Sequence, residues 1–307
     1  HTPNPSSFIT MELKKIGVVG CGLMGHGIVQ VAAQAGYDVV VVETEQGFLD
    51  KGLGRVEKSL AKLAQKSVEK GKATEADAEA ARAAAWGRIT NSLDKGDLAD
   101  CDLVVEAIIE DLGIKTALFK ELGELCKPET ILASNTSSFP VMEMAQASGR
   151  PERFVGLHFF NPVQLMRLVE VVRTDVTDAD VFETAKGFGA KCGKAPVACK
   201  DTPGFVVNRL LVPYMAQSLL MLERGDATKE DIDTAMQFGC GYPMGPLTLT
   251  DYVGLDTTLA ILEGWVDKHP DEPAFVIPNI LREKVAAGKL GRKTGEGFYV
   301  WDGDKKS

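Results

Sequence analysis

A histidine and a glutamate twelve residues apart, in two consecutive apolar runs, are the first residues here that could do chemistry together. The stretch GLHFFNPVQLMRLVEVV carries His158 in the first run and Glu170 in the second. Burying either group costs several kcal/mol unless it is paired. Pro162 halts the first run. A chain that folds back around Gln164 sets His158 opposite Glu170 in an antiparallel pair, within hydrogen-bonding reach. So joined, the imidazole can take a hydroxyl proton while the carboxylate holds the ring's tautomer and stabilises the imidazolium. Alcohol oxidation beside a hydride acceptor needs such a pair. Taken alone, the two residues also fit a core histidine and a solvent-facing glutamate, because strand residues alternate faces.

The segment GVVGCGLMGHG supplies the acceptor's place. Gly20, Gly22 and Gly25 form G-x-G-x-x-G between an apolar strand and a helical pattern. The first glycine allows a tight turn, the second lets backbone approach a pyrophosphate, and the third lets helix and strand pack closely. The helix N-terminus receives the negative charge. Glu43 ends the next strand, DVVVVE, twenty-one residues past Gly22. A carboxylate there accepts hydrogen bonds from the adenosine ribose and repels a 2′-phosphate, which favours NAD over NADP. His26, just after the motif, reads as packing. A further polar group, Ser134 to Ser138 in ILASNTSS, lies at a strand's carboxyl edge, where open parallel sheets bind ligands. Ser137 or Ser138 could alternatively cap a helix.

A basic stripe stands apart from these motifs. Lys58, Lys62, Lys66 and Lys70 are spaced four apart, which stacks them on one helical face. Residues 48–72 hold seven basic side chains against three acidic ones, in a chain whose net charge is −9. The stripe is either a solvated face or a landing strip for a phosphorylated substrate handle.

Strand-like runs at Lys14–Gly20, Asp38–Glu43, Asp102–Glu106, Thr130–Ser134, Arg153–Phe159 and Leu168–Val172 must position these groups. They are apolar throughout, and helical patterns separate the earlier ones, as in a parallel sheet covered on both faces. About fifty residues, Thr44 to Leu93, intervene after the second strand, where a short crossover is usual. From about Thr202 the pattern becomes helical, opening with a long helix from Pro203-Gly204 through Arg224. Thr228 caps the next helix, with Asp231 three residues on. Three segments are expected: a lead over 1–13, an NAD-binding domain over 14–201 and a helical domain over 202–307. The opening HTPNPSSFIT reads as an expression remnant or disordered lead, with Met11 as a natural start. Asn208 falls just inside the first helix of the second domain, where it would face a cleft.

The 307 residues, 45% of them hydrophobic, can bury a substantial core. The acidic balance argues against nucleic-acid or membrane-surface binding. No apolar run reaches the ~18 residues of a membrane helix. Six cysteines form no C-x-x-C pair and read as reduced thiols, and four histidines form no cluster of metal-ligand spacing, so no metal is expected.

In order along the chain, GVVGCGLMG, ASNTSS, GLHFFNPV, LVEVV, CKDTPGFVVNRLLVPY, ERGDATKEDIDTAM, GYPMGPL, DYVGLD and GRKTGEGFY run from about Lys14 to Trp301. This set resembles the L-3-hydroxyacyl-CoA dehydrogenase family, and most closely its short-chain type of fatty-acid β-oxidation. The resemblance implies a Rossmann-like, doubly wound, mostly parallel α/β sheet with a helical-hairpin insertion, followed by an all-α C-terminal domain. It implies NAD-dependent oxidation of (S)-3-hydroxyacyl-CoA, with His158 as base and Glu170 as its partner. Ser137 and Asn208 would hold the substrate's reacting oxygens, and Asn161 would contact the nicotinamide end. Leu23 and Met24 in the glycine turn, with Glu110, Lys115, Ser137 and Lys293, match positions that contact NAD. Ser59 and Lys66, with Ser137, fall where the family holds acyl-CoA, so the resemblance turns the basic stripe into a phosphate site. One departure is Glu43, where many relatives have aspartate.

By the same resemblance the protein is a homodimer through its helical domain, located in the mitochondrial matrix or, alternatively, the cytoplasm. A competing reading is a crystallin-like structural relative, or an NAD-dependent hydroxyacid dehydrogenase without acyl-CoA turnover. The intact set Ser137, His158, Glu170 and Asn208 favours the enzyme. A β-hydroxyacid dehydrogenase with a lysine base does not fit, because no lysine stands in place of His158.

Overall fold

The structure, a computed structural model, describes residues 10–307. Two compact units divide the chain between Phe205 and Val206. The 1–13 segment expected as a lead lies outside the described residues up to residue 9. From Met11 onward that expectation fails. The Met11 N–H donates to Thr184 Oγ1 at 3.0 Å, and Leu13 is buried in the core.

Eight strands form the first unit's sheet: β1 (Lys15–Val19), β2 (Asp38–Val42), β3 (Ile89–Ser92), β4 (Leu103–Glu106), β5 (Ile131–Ser134), β6 (Phe154–Phe159), β7 (Leu168–Arg173) and β8 (Ala195–Lys200). Their order is β3-β2-β1-β4-β5-β6-β7-β8, and every pairing is parallel except the antiparallel β6–β7. Central strands such as β1 and β4 are buried on both faces, as their continuous apolar runs require.

Two strands escaped the apolar-run criterion, and both lie at the sheet's edges. β3, ITNS, and β8, APVACK, keep much of their surface in solvent, so polar residues and Pro196 are tolerated there. The third strand is therefore Ile89–Ser92. The long crossover before it is a helical hairpin of α2 (Gln46–Glu69) and α3 (Glu75–Trp86), following α1 (Gly25–Gln34). α2 buries Leu49, Gly52, Val56 and Leu60, which leaves Lys58, Lys62 and Lys66 exposed. Lys70 is its C-cap. Helices α4 (Leu112–Leu125), α5 (Val141–Ala147) and α6 (Ala179–Lys191) complete this unit.

The second unit contains α7 (Val207–Arg224), α8 (Lys229–Cys240), α9 (Pro246–Val253), α10 (Leu255–Lys268) and α11 (Asn279–Ala286) around a core that includes Val212, Leu219, Leu247, Leu262 and Trp265. Pro203 and Gly204 form a turn ahead of α7 rather than its first turn. Thr228 caps α8 by accepting the Asp231 N–H at 3.1 Å. Asp251 is buried and accepts from the Phe298 and Tyr299 N–H groups and from Trp301 Nε1, which ties the glycine-rich tail to α9.

Candidate active site

The β6–β7 hairpin brings the histidine and glutamate together. His158 and Glu170 are directly paired in register, and the His158 Nδ1 lies 2.7 Å from Glu170 Oε2. Both are buried, Glu170 completely. A carboxylate only accepts, so Nδ1 carries the proton and Nε2 has a lone pair for a substrate proton. Phe160 and Phe205 flank the imidazole, with ring centroids 4.4 Å and 5.7 Å from it. Phe205 holds a left-handed backbone, φ 53°, a costly state for a residue with a side chain. Nothing in the sequence announces this conformation, because Pro203-Gly204 reads there as the opening of a long helix. The strand end is tethered as well: the Phe159 N–H donates to Asn135 Oδ1 at 2.9 Å.

The glycine turn has three different reasons for its glycines. Gly20 sits at φ 94°, and a side chain on Gly25 would fall 1.8 Å from the Gly20 carbonyl oxygen. Both are demands of the fold. Gly22 has nothing within 4 Å of where its Cβ would stand. The protein leaves that space open, as close approach of a pyrophosphate requires. Among the described residues, the Leu23 and Met24 N–H groups find no backbone acceptor, and no side chain caps α1. Glu43 lies alongside, its Oε1 accepting the Cys21 N–H at 2.9 Å and its Oε2 the Thr44 N–H at 2.9 Å. The donor set, the open cradle and the adjacent carboxylate fit a dinucleotide.

Beyond β4 and β5 lies a buried ionic network. Lys115 is 1% exposed and reaches Glu106 Oε1 at 2.5 Å and Glu110 Oε2 at 3.1 Å. Glu106 also accepts from the Ile108 N–H at 2.8 Å and Ser134 Oγ at 2.6 Å. Glu110 Oε1 accepts from Thr136 Oγ1 at 2.6 Å, the Ser137 N–H at 3.0 Å and Ser138 Oγ at 3.2 Å. The Lys115 ammonium and the Thr136 and Ser137 donors outweigh burial and hold the Glu110 carboxyl below its ordinary value. The fold thus brings Glu110, Lys115 and Ser137 into one cluster, organised by Glu106. Nothing in the sequence marked Glu106 beyond its place at a strand end.

Ser137 and Ser138 do not cap α5. Asp201 takes that role from the far end of β8, accepting the Val141 and Met142 N–H groups at 3.0 and 2.8 Å. A cap sixty residues away leaves no local sequence pattern. Asn161 is exposed at the start of the β6–β7 turn, and Ser59 is half-buried on α2, near the exposed Lys66. Asn208 and Lys293 belong to the second unit. Asn208 lies in the first turn of α7, and Lys293 Nζ is 2.5 Å from Asp256. Among the described residues no group of histidine, cysteine and carboxylate side chains could hold a metal. No helix there is long and apolar enough to cross a membrane.

Residues 15–202 match the family model for the NAD-binding domain of 3-hydroxyacyl-CoA dehydrogenase, and residues 204–301 that for its C-terminal domain. The chain is 52% identical over 291 residues to a probable 3-hydroxybutyryl-CoA dehydrogenase of Deinococcus radiodurans, covering 94% of this chain and 100% of that one. It is 49% identical over 291 residues to the mitochondrial hydroxyacyl-coenzyme A dehydrogenase of Rattus norvegicus, covering 94% and 91%. Among solved structures it is similar to the (S)-3-hydroxybutyryl-CoA dehydrogenase of Ralstonia eutropha, with TM-score 0.88, 39% identity and coverage of 95% and 100%.

Proposed function

Because the chain belongs to the 3-hydroxyacyl-CoA dehydrogenase family, an NAD-dependent oxidoreductase family, we propose that it oxidises (S)-3-hydroxyacyl-CoA to 3-oxoacyl-CoA in fatty-acid β-oxidation. The observation that carries this reading is the buried His158–Glu170 pair at 2.7 Å, in the same sheet as the dinucleotide turn. NAD, when bound, supplies the acceptor for the hydride leaving the substrate's C3. His158 Nε2 takes the proton of the C3 hydroxyl, and Glu170 stabilises the imidazolium through Nδ1–H. Ser137 donates to the reacting oxygen. Glu110 and Lys115 act at the cofactor by fixing the loop that carries Ser137, and Asn161 meets the nicotinamide end. Kinetics monitored through NADH, with acetoacetyl-CoA, longer 3-oxoacyl-CoA substrates and free acetoacetate, test this reading. Turnover of the thioesters well above that of the free acid is expected. Preference for free acetoacetate would instead support a hydroxyacid dehydrogenase.

Glu43 sets the choice of cofactor, since its carboxylate stands beside the turn and the nearest following basic residue is Lys51. Glu43→Ala is expected to narrow the difference in kcat/KM between NAD and NADP, and Glu43→Asp to leave it nearly unchanged. Equal use of both cofactors by the unaltered protein would remove Glu43 from this role.

Ser59 and the exposed face of α2 receive the coenzyme A handle. Phosphate binding by Lys66 is partly electrostatic and weakens as salt screens charges over ~8–10 Å. Lys66→Ala is expected to raise KM for acetoacetyl-CoA and to reduce its dependence on salt, with KM for NADH unchanged. Unaltered acetoacetyl-CoA kinetics at low salt would return the stripe to a solvated helix face.

A homodimer through the second unit is supported by the large apolar side chains it exposes, Leu210, Met221, Phe238 and Tyr242. A mitochondrial location is supported by the rat relative, which is named as mitochondrial, with the cytoplasm as the alternative.

A further inference from the structure

Besides His158, the described part of the first unit contains one histidine, His26, on the first turn of α1. Its Nδ1 lies 2.7 Å from the Gly22 carbonyl oxygen, which also receives the His26 N–H at 3.4 Å. A carbonyl only accepts, so Nδ1 carries the proton here. The peptide between Gly22 and Leu23 is planar and trans, so its C=O and N–H point in opposite directions. Drawing the Gly22 carbonyl toward the His26 ring therefore turns the Leu23 N–H away from it. The space beside Gly22 is open, and the Leu23 N–H has no backbone acceptor among the described residues. The other end of the turn is held independently, by the Gly20 N–H on the Val42 carbonyl at 2.8 Å and the Cys21 N–H on Glu43.

We propose that His26 is a positioning residue for the cofactor's pyrophosphate, holding the Gly22–Leu23 peptide with its N–H presented to the anion. This rests on reading the glycine turn as the NAD site. Among the described residues, Arg55 of α2 is a charged side chain that acts on His26 through its charge. Burial pushes the imidazole below its ordinary value, the Gly22 carbonyl opposes that, and Arg55 adds to the lowering, so the free protein favours the neutral ring. A bound dianion favours the imidazolium. By linkage, cofactor affinity rises as pH falls through the titration of His26.

The test is NADH binding followed by its fluorescence at pH 8 and pH 6, in the unaltered protein, His26→Ala and His26→Asn. Each is also made with His158→Ala, which removes the unit's other described histidine from the pH response. His26→Ala is expected to weaken NADH binding about fivefold at pH 8, the worth of one net hydrogen bond, and more at pH 6. Its kcat at saturating NAD should stay within about twofold of the original. Asparagine can donate to the carbonyl but cannot titrate. It is expected to restore affinity at pH 8 without the gain at pH 6, which also separates the effect from misfolding. NADH affinity of His26→Ala equal to that of the unaltered protein at both pH values would overturn the proposal. Absence of NADH binding by the unaltered protein would overturn the reading of the glycine turn itself.

Discussion

Replacing His158 with alanine lowers kcat by about 10²–10⁴, the usual worth of a positioned general base, or roughly 3–5 kcal/mol of barrier. Glu170→Gln has a similar expected effect for a different reason. The glutamine carbonyl can still accept from His158 Nδ1–H, so the 2.7 Å contact need not be lost. What disappears is the negative charge that stabilises the imidazolium in a fully buried position, where charge is poorly compensated by solvent. In both variants KM should change far less than kcat, and NADH should bind as before, because the glycine turn is at the other end of the β1–β4–β5–β6 array. Steady-state kinetics and fluorescence titration check the two halves of this expectation separately. Near-normal turnover in either variant would show that the pair does not carry the proton transfer.

Lys115→Met should destabilise the first unit by about 3–5 kcal/mol, the cost of leaving a buried charge without its partner. Glu106 is fully buried and would keep only the Ile108 N–H and Ser134 Oγ as donors. Adding Glu106→Gln should recover a large part of the loss, since the uncompensated charge is then gone. Catalysis should fall as well. Glu110 would lose its ammonium contact while still accepting from Ser137, so the serine loop would be held less firmly. Urea unfolding of the single and double variants gives the stabilities, and kcat/KM gives the activity. A single-variant loss below about 1 kcal/mol would mean that the Lys115–Glu106 pair is not what holds these strand ends.

The parts of the site legible in the sequence were those set by local rules. A glycine turn needs its residues in one short segment, because a single backbone stretch makes both the tight turn and the helix start. The dyad was legible because hairpin geometry converts a twelve-residue separation into a direct cross-strand pair. The central strands were legible because burial on both faces demands continuous apolar runs. β3 and β8 were not, because an edge strand satisfies its exposed face with solvent and keeps no such pattern. Ser137 was legible as a polar residue at a strand's carboxyl edge, but what holds it was not. Its N–H is held by Glu110, twenty-seven residues away, and the helix that follows is capped by Asp201.

By itself, then, the sequence determined the dinucleotide turn, the pairing of His158 with Glu170, the change to helix near residue 202 and the family, all of which depend on neighbours or on motif order along the chain. Tertiary structure alone decided which charges are buried together. Glu106, Lys115 and Glu110 belong to a strand, a helix and the loop between them, and their spacing follows no period. Their meeting is set by where β4 ends and how α4 packs back onto the sheet, and only the fold specifies that. The same holds for Phe205, whose ring reaches His158 from forty-seven residues away through a backbone conformation that the sequence does not announce.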